Sequence, residues 1–117
     1  MVGLSSDGVL VVSNTNDGSQ TYYSAVNADT FTLIGHFDSP KFPHAIVYNQ
    51  DKSIFYMIGV ESGKIVVIDG KTGKPQRTFS ANKIDKNSSQ MALAPMLKQL
   101  FVSVAAPKEG VNVIDTE

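Results

Sequence analysis

Apolar residues in this chain come in short, strand-length runs. They occupy residues 2–5, 9–14, 22–27 and 32–37, then 44–48, 54–58, 65–69 and 76–79, then 91–94, 100–104 and 111–115. Most runs are rich in β-branched or aromatic residues, and they are separated by Gly, Asn, Asp, Ser and Lys, the residues of turns. No stretch carries the 3.6-residue period of an amphipathic helix. The pattern predicts eleven strands and almost no helix, the strands joined by hairpin-length turns. Several strands are apolar at consecutive positions, as in Val9-Leu10-Val11-Val12 and Ile65-Val66-Val67-Ile68. A sheet wetted on one face would alternate instead, so these strands are expected to be covered on both faces.

The runs also repeat as a group. HAIVYNQDKSIFYMIGVESGKIVVIDG begins at His44, QMALAPMLKQLFVSVAAPKEGVNVIDTE begins at Gln90, and a weaker copy lies upstream. Aligned without a gap at an offset of 46, Lys52 meets Lys98 and Phe55 meets Phe101. Val67-Ile68-Asp69 then meets Val113-Ile114-Asp115. A period of this size marks an architecture in which one supersecondary unit stacks on the next. The matched apolar positions Phe55, Val67, Ile68, Phe101, Val113 and Ile114 are the expected inter-unit core.

Two stretches carry a family resemblance. Ala92-Leu93-Ala94-Pro95, followed by Lys98-Gln99-Leu100-Phe101-Val102, is similar to the Ala-x-Pro-Asp-Gly-Lys-x-Leu-Tyr-Val segment of YVTN-type repeats. Ile65-Val66-Val67-Ile68-Asp69-Gly70-Lys71-Thr72-Gly73-Lys74 is similar to the segment that follows it in those repeats. The chain therefore resembles a section of a YVTN/YncE-like β-propeller, in the quinoprotein amine dehydrogenase-like group. The resemblance implies an all-β fold of four-stranded antiparallel blades in an incomplete ring. Its blades would span residues 1–41, 42–86 and, lacking an outer strand, 87–117. Two full blades and a partial one do not close a ring, which takes at least about four. The expectation is a fragment, an open arc, or a protomer completed by other copies. Its partners would be further blades of a longer parent, or other copies joined through open blade edges, the strand at 111–115 included.

Composition narrows the function. A net charge of -1 with scattered basic residues argues against a nucleic-acid partner, which needs a clustered Lys/Arg stripe. Lys71, Lys74 and Arg77, the nearest approach to a cluster, read as a solvated hairpin. The absence of cysteine removes disulfides, thiolate metal sites and cysteine nucleophiles. No apolar run reaches the ~18 residues of a membrane span, and the N-terminal residues carry no signal-peptide pattern. The compartment stays open; the resemblance implies a periplasmic or extracellular one.

Motifs that suggest chemistry mostly dissolve on inspection. Gly70-Lys71-Thr72 ends like a phosphate-binding loop, but Ile65 stands where that loop needs Gly. Gly73 is expected to take positive φ in a hairpin turn instead. Asn14-Thr15-Asn16-Asp17-Gly18 suggests a calcium loop, yet Ala25 holds the place of the bidentate Glu. Asp69, Asp115 and Asn27 follow apolar strands at one repeat position and are expected to cap turns through Asx hydrogen bonds. His36 falls in an outer strand and reads as a surface residue, while Tyr22, Tyr23, Phe31 and Phe37 read as core and surface alternation. Asn87-Ser88-Ser89 matches a glycosylation acceptor, a tripeptide common by chance.

What remains is a set of connections. Lys41, Phe42, His44, Glu61 and Glu109 combine polar, aromatic and titratable groups on or beside loops. The resemblance places such loops at the mouth of an axial channel, so these five are the candidate ligand-binding residues. No catalytic set, metal site or cofactor emerges, and the leading reading is a non-enzymatic binding or scaffold segment. Its rivals are a self-assembling structural propeller, or part of a propeller enzyme of quinoprotein dehydrogenase or lactonase type with its site in other blades. Quinone-cofactor repeats place a Trp soon after this turn, and the chain contains none.

Overall fold

Every apolar run of the sequence is a strand. The computed structural model describes residues 2–13, 22–40, 43–59, 64–79, 88–94, 98–104 and 110–115. Among them are β1 (Val2–Leu4), β2 (Val9–Val12), β3 (Tyr22–Asn27) and β4 (Thr32–Asp38). These are followed by β5 (Pro43–Asn49), β6 (Ile54–Gly59), β7 (Ile65–Asp69) and β8 (Pro75–Phe79), then β9 (Ser88–Ala94), β10 (Gln99–Val104) and β11 (Gly110–Asp115). The described strands form three antiparallel meanders: sheet 1 (β1-β2-β3-β4), sheet 2 (β5-β6-β7-β8) and sheet 3 (β9-β10-β11). The first strands lie side by side, β1 by β5 and β5 by β9, so the sheets fan out from a common inner edge. This is the arrangement of propeller blades, and three of them leave the ring open.

Sheet 2 explains the unbroken apolar runs. Along β6 and β7 the side chains alternate between two cores. Phe55, Met57, Val66 and Ile68 point toward sheet 1, where they meet Val9, Val11, Tyr23 and Ala25. Ile54, Tyr56, Ile58, Ile65 and Val67 point the other way, onto Leu100 of sheet 3 with Leu93 and Ile114 beside it. All but Ile54 and Val66 of these nine are no more than 1% exposed. Each large side chain so buried contributes roughly 1.5–3 kcal/mol of transfer free energy.

The turns repeat as faithfully as the strands. Gly8, Ser53 and Lys98 stand just before the second strand of their sheets, all at positive φ (83°, 51° and 54°). Asn27 and Asp69 cap the turn after the third strand: Asn27 Oδ1 accepts from the backbone N–H of Asp29 and Thr30, and Asp69 Oδ1 from that of Lys71. Four residues beyond each cap the chain again takes positive φ, at Phe31 and, as expected from sequence, at Gly73. Gly73 has a second reason to lack a side chain. A Cβ there would lie 2.5 Å from the Cβ of Ala25 across the sheet interface.

Register corrects two expectations. Phe55 pairs with Ile68 and with Tyr48, whereas Leu100 pairs with Ile114 and with Leu93. Leu100 is therefore the counterpart of Phe55, at an offset of 45, while Ile114 matches Ile68 at 46. The ungapped alignment slips by one because the β10–β11 connection is one residue longer than that of β6–β7. Phe101 pairs instead with Val113, and its side chain lies outside the described residues. Val113, expected in the core, is 44% exposed because it stands on the face of sheet 3 turned away from sheet 2. The aromatics alternate between surface and core as expected: Tyr22 and Phe31 are exposed, Tyr23 is buried, and Phe37 packs against it with 5.5 Å between ring centroids.

Truncations should follow this register. Phe55→Ala is expected to cost about 3–5 kcal/mol and Leu100→Ala about 2–5 kcal/mol, while Val113→Ala costs under about 1 kcal/mol. Urea unfolding of the three variants measures the ranking; a Val113 loss as large as that at Leu100 would contradict the register.

Candidate functional site

Of the five candidate ligand residues, Lys41 and Phe42 precede β5 and His44 lies in it, whereas Glu61 belongs to the β6–β7 connection and Glu109 to the β10–β11 connection. Lys41, Phe42, Glu61 and Glu109 lie outside the described residues. His44 is the second residue of β5, placed by its backbone in a β-bulge: Pro43 pairs with Gly59 and Ala45 with Ile58, leaving His44 between them unpaired. Sheet 3 bulges at the same place, where Ser88 pairs with Val104 and Gln90 with Ser103, leaving Ser89 out. The repeat thus builds an irregular step into the innermost strand, and the side chain carried on it differs from sheet to sheet. Bulges of this kind re-aim a side chain and are enriched beside binding sites. Pro43, with no N–H to contribute, is fully buried at the strand entrance.

The opposite ends of the sheets hold a polar chain that the sequence did not reveal. Ser6 Oγ lies 3.0 Å from the Tyr48 hydroxyl, which donates to Ser53 Oγ at 3.3 Å, and Ser53 Oγ donates to the Asp7 carboxylate. Beside it, Ser5 Oγ donates to the Gly70 carbonyl (2.6 Å) and accepts from the N–H of Val9 (3.0 Å), and Gly70 N–H donates to the Ser53 carbonyl (2.7 Å). Ser6 and Asp7 come from the β1–β2 turn, Tyr48 and Ser53 from the end of β5 and the turn before β6. The set therefore joins sheet 1 to sheet 2. The hydrogen bonds with Ser53 first, and then with Ser6, hold the Tyr48 hydroxyl below its usual pKa.

A serine, a carboxylate and a phenol in contact invite a catalytic reading, but the geometry is that of a clasp. Ser53 Oγ is held from two sides, and Ser53 itself is buried between sheets. No described histidine side chain reaches it: His36 sits on β4, exposed, with Nδ1 2.8 Å from Ser24 Oγ and its ring edge-on to Tyr22. Among the described residues no three His, Asp or Glu side chains converge as a metal site. No helix among them is long and apolar enough to cross a membrane. Deeper in the same interface the Tyr23 hydroxyl donates to the Gly73 carbonyl at 2.8 Å, and burial raises its pKa well above the usual tyrosine range.

No family model and no curated protein matches this sequence. Solved structures do. Kuenenia stuttgartiensis hydrazine synthase is 22% identical, with a TM-score of 0.76 over 98% of this chain and 32% of that one. The dihydro-heme d1 dehydrogenase NirN, in complex with DHE, is 16% identical, with a TM-score of 0.73 over 97% of this chain and 23% of that one. A candidate 6-phosphogluconolactonase from Bacteroides fragilis is 21% identical, with a TM-score of 0.70 over 98% and 36%. This chain thus spans about a third or less of the length of the structures it matches. At these identities the likeness establishes the β-propeller fold and nothing finer.

Two outcomes follow from the interface chemistry. Asp7→Ala should lower stability by about 1–2 kcal/mol, since it strips the acceptor from a charge-assisted bond that links two sheets. Tyr23 governs the alkaline limit. Its folded pKa lies above the unfolded value of about 10, so above that pH the unfolded state sheds a proton that the folded state keeps. Stability is then full below about pH 10 and falls as pH rises further. Tyr23→Phe should flatten that fall, read by urea unfolding between pH 8 and 11.

Proposed function

We propose that this chain is a section of a YVTN/YncE-like β-propeller that serves as a binding scaffold, with its ligand site on the connections at the β5 entrance. The observation that carries this reading is the repeated bulge in the innermost strand, with His44 in sheet 2 and Ser89 in sheet 3. A scaffold with regular stacked sheets and variable side chains at one inner position is suited to recognising a ligand near the ring axis. Lys41, Phe42, Glu61 and Glu109 complete the proposed site, supplying two carboxylates, one ammonium and one aromatic ring for a small polar ligand. A second reading, part of a propeller enzyme of lactonase or quinoprotein dehydrogenase type, draws support from the enzyme names carried by the structural neighbours. The missing Trp weighs against its quinoprotein form.

An amide NMR screen with small polar metabolites separates the readings. The scaffold reading expects shifts concentrated at His44, Ala45, Gly59 and Lys64, with affinity reduced about 10-fold or more by His44→Ala. Shifts confined to the turns at Asp29 and Lys71 would overturn the site. Lactone hydrolysis by the chain, abolished by Glu61→Gln, would favour the enzyme.

A further inference from the structure

Three aspartates in this chain precede a glycine: Asp7, Asp17 and Asp69. An Asp-Gly pair can close on itself. The glycine amide nitrogen attacks the aspartate Cγ, the N–Cγ bond forms, and the carboxyl hydroxyl leaves with the amide proton as water. Water then opens the five-membered imide. Where it cleaves the bond between the aspartate backbone carbonyl and the nitrogen, the main chain continues through Cβ and Cγ as isoaspartate. Only water enters or leaves, so geometry decides which pair reacts. The glycine N–H must be loosely held, and Cγ and nitrogen must be free to meet. Asp17-Gly18 lies outside the described residues, and the other two pairs differ sharply.

Asp69-Gly70 is locked. The nucleophile-bearing Gly70 N–H donates to the Ser53 carbonyl at 2.7 Å, and the Gly70 carbonyl accepts from Ser5 Oγ at 2.6 Å. Gly70 is buried, and a Cβ on it would lie 2.8 Å from the Ser53 carbonyl oxygen, so the backbone has no room to turn. Asp7-Gly8 is looser where it matters. Its carbonyl is held by the Ala28 N–H at 2.8 Å, but the Gly8 N–H reaches the Ser5 carbonyl only at 3.2 Å, the long end of the N–H···O range. Asp7 is exposed, and the nearest atom to a Cβ on Gly8 would be Asp29 Oδ2 at an ordinary 3.6 Å. Both carboxylates are tethered, Asp7 by Ser53 Oγ and Asp69 by the Lys71 N–H, so the difference lies in the nucleophile and the space around it.

From this contrast we infer that Asp7-Gly8 is a site of isoaspartate formation in the folded chain, and that the modification releases the clasp between sheets 1 and 2. Isoaspartate adds a methylene to the main chain and leaves the carboxylate directly on Cα, one carbon shorter in reach. The carboxylate is thereby drawn away from Ser53 Oγ, which keeps only the Tyr48 hydroxyl. A change confined to one exposed turn is thus felt at the interface of two sheets.

Incubation of the 117-residue chain at about pH 6 and 37 °C for about four weeks, then digestion and electron-transfer mass spectrometry, tests the proposal. The folded chain should carry at least about 5-fold more isoaspartate at Asp7 than at Asp69. In the urea-unfolded chain the two sites should react within about 3-fold of each other. The urea midpoint of the aged chain should fall toward that of Asp7→Ala as isoaspartate accumulates. Asp7→Glu keeps a carboxylate but would have to close a six-membered ring, which forms far more slowly. It should neither gain the modification at that site nor lose stability on ageing. Equal modification of Asp7 and Asp69 in the folded chain, none at Asp7, an unchanged midpoint after Asp7 is modified, or an equal loss in Asp7→Glu would each overturn it.

Discussion

Burial of sheet 2 on both faces is the constraint from which the rest follows. A four-stranded antiparallel meander has one apolar face in most folds, and the other face meets water. Here β6 and β7 place Phe55 and Ile68 on one side and Tyr56 and Val67 on the other, and none of these four is more than 1% exposed. Such a sheet has no stable existence alone; it requires a sheet on either side. The short turns, the shared inner edge of β1, β5 and β9, and the close approach at Gly73 are ways of bringing those neighbours to packing distance.

Hydrophobic burial sets that two sheets meet, and the polar contacts set how. Apolar contact is non-directional, so sliding sheet 1 along sheet 2 by part of a residue would cost little on its own. Tyr23 to Gly73 and Ser5 to Gly70 are directional bonds to backbone carbonyls, 50 and 65 residues distant in sequence, and they fix the offset. Ser53 shows the competition between levels. Its positive φ favours glycine, as at Gly8, but glycine would remove the hydroxyl that bonds Asp7. Serine accepts the backbone strain, commonly about 1–2 kcal/mol for a non-glycine residue, and keeps the link.

Strand number, order and turn chemistry were legible in the sequence because each is encoded locally. Apolar runs, the Asn27 and Asp69 caps and Gly73 need only a few neighbouring residues to be recognised. The slip at Phe101 was not legible, because one extra residue in a connection shifts the apparent match without changing the motif at Val113-Ile114-Asp115. In a strand such a slip moves a side chain to the other face, so Leu100 and not Phe101 takes the place of Phe55. The Ser6–Tyr48–Ser53–Asp7 chain was invisible for a different reason: its two cross-sheet contacts join residues 42 and 46 positions apart, and serines in turns carry no signature of their partner. Of the ligand candidates, only His44 gained a structural feature, its bulge, which depends on pairing with a strand the sequence alone does not align.

Because each sheet touches only the next along the array, stability has the form of a linear chain of coupled units: one intrinsic contribution per sheet and one coupling per interface. Among the described sheets, sheets 1 and 3 each hold one coupling and sheet 2 holds two. Within this set, opening sheet 1 or sheet 3 breaks one coupling, while opening sheet 2 breaks both. The innermost apolar pairs, Phe55 with Ile68 and Tyr56 with Val67, become the last to be exposed to solvent. The turn that carries Ser53 belongs to that most protected unit, which makes the hydroxyl link to Asp7 an anchor by which the middle of the array restrains its first sheet.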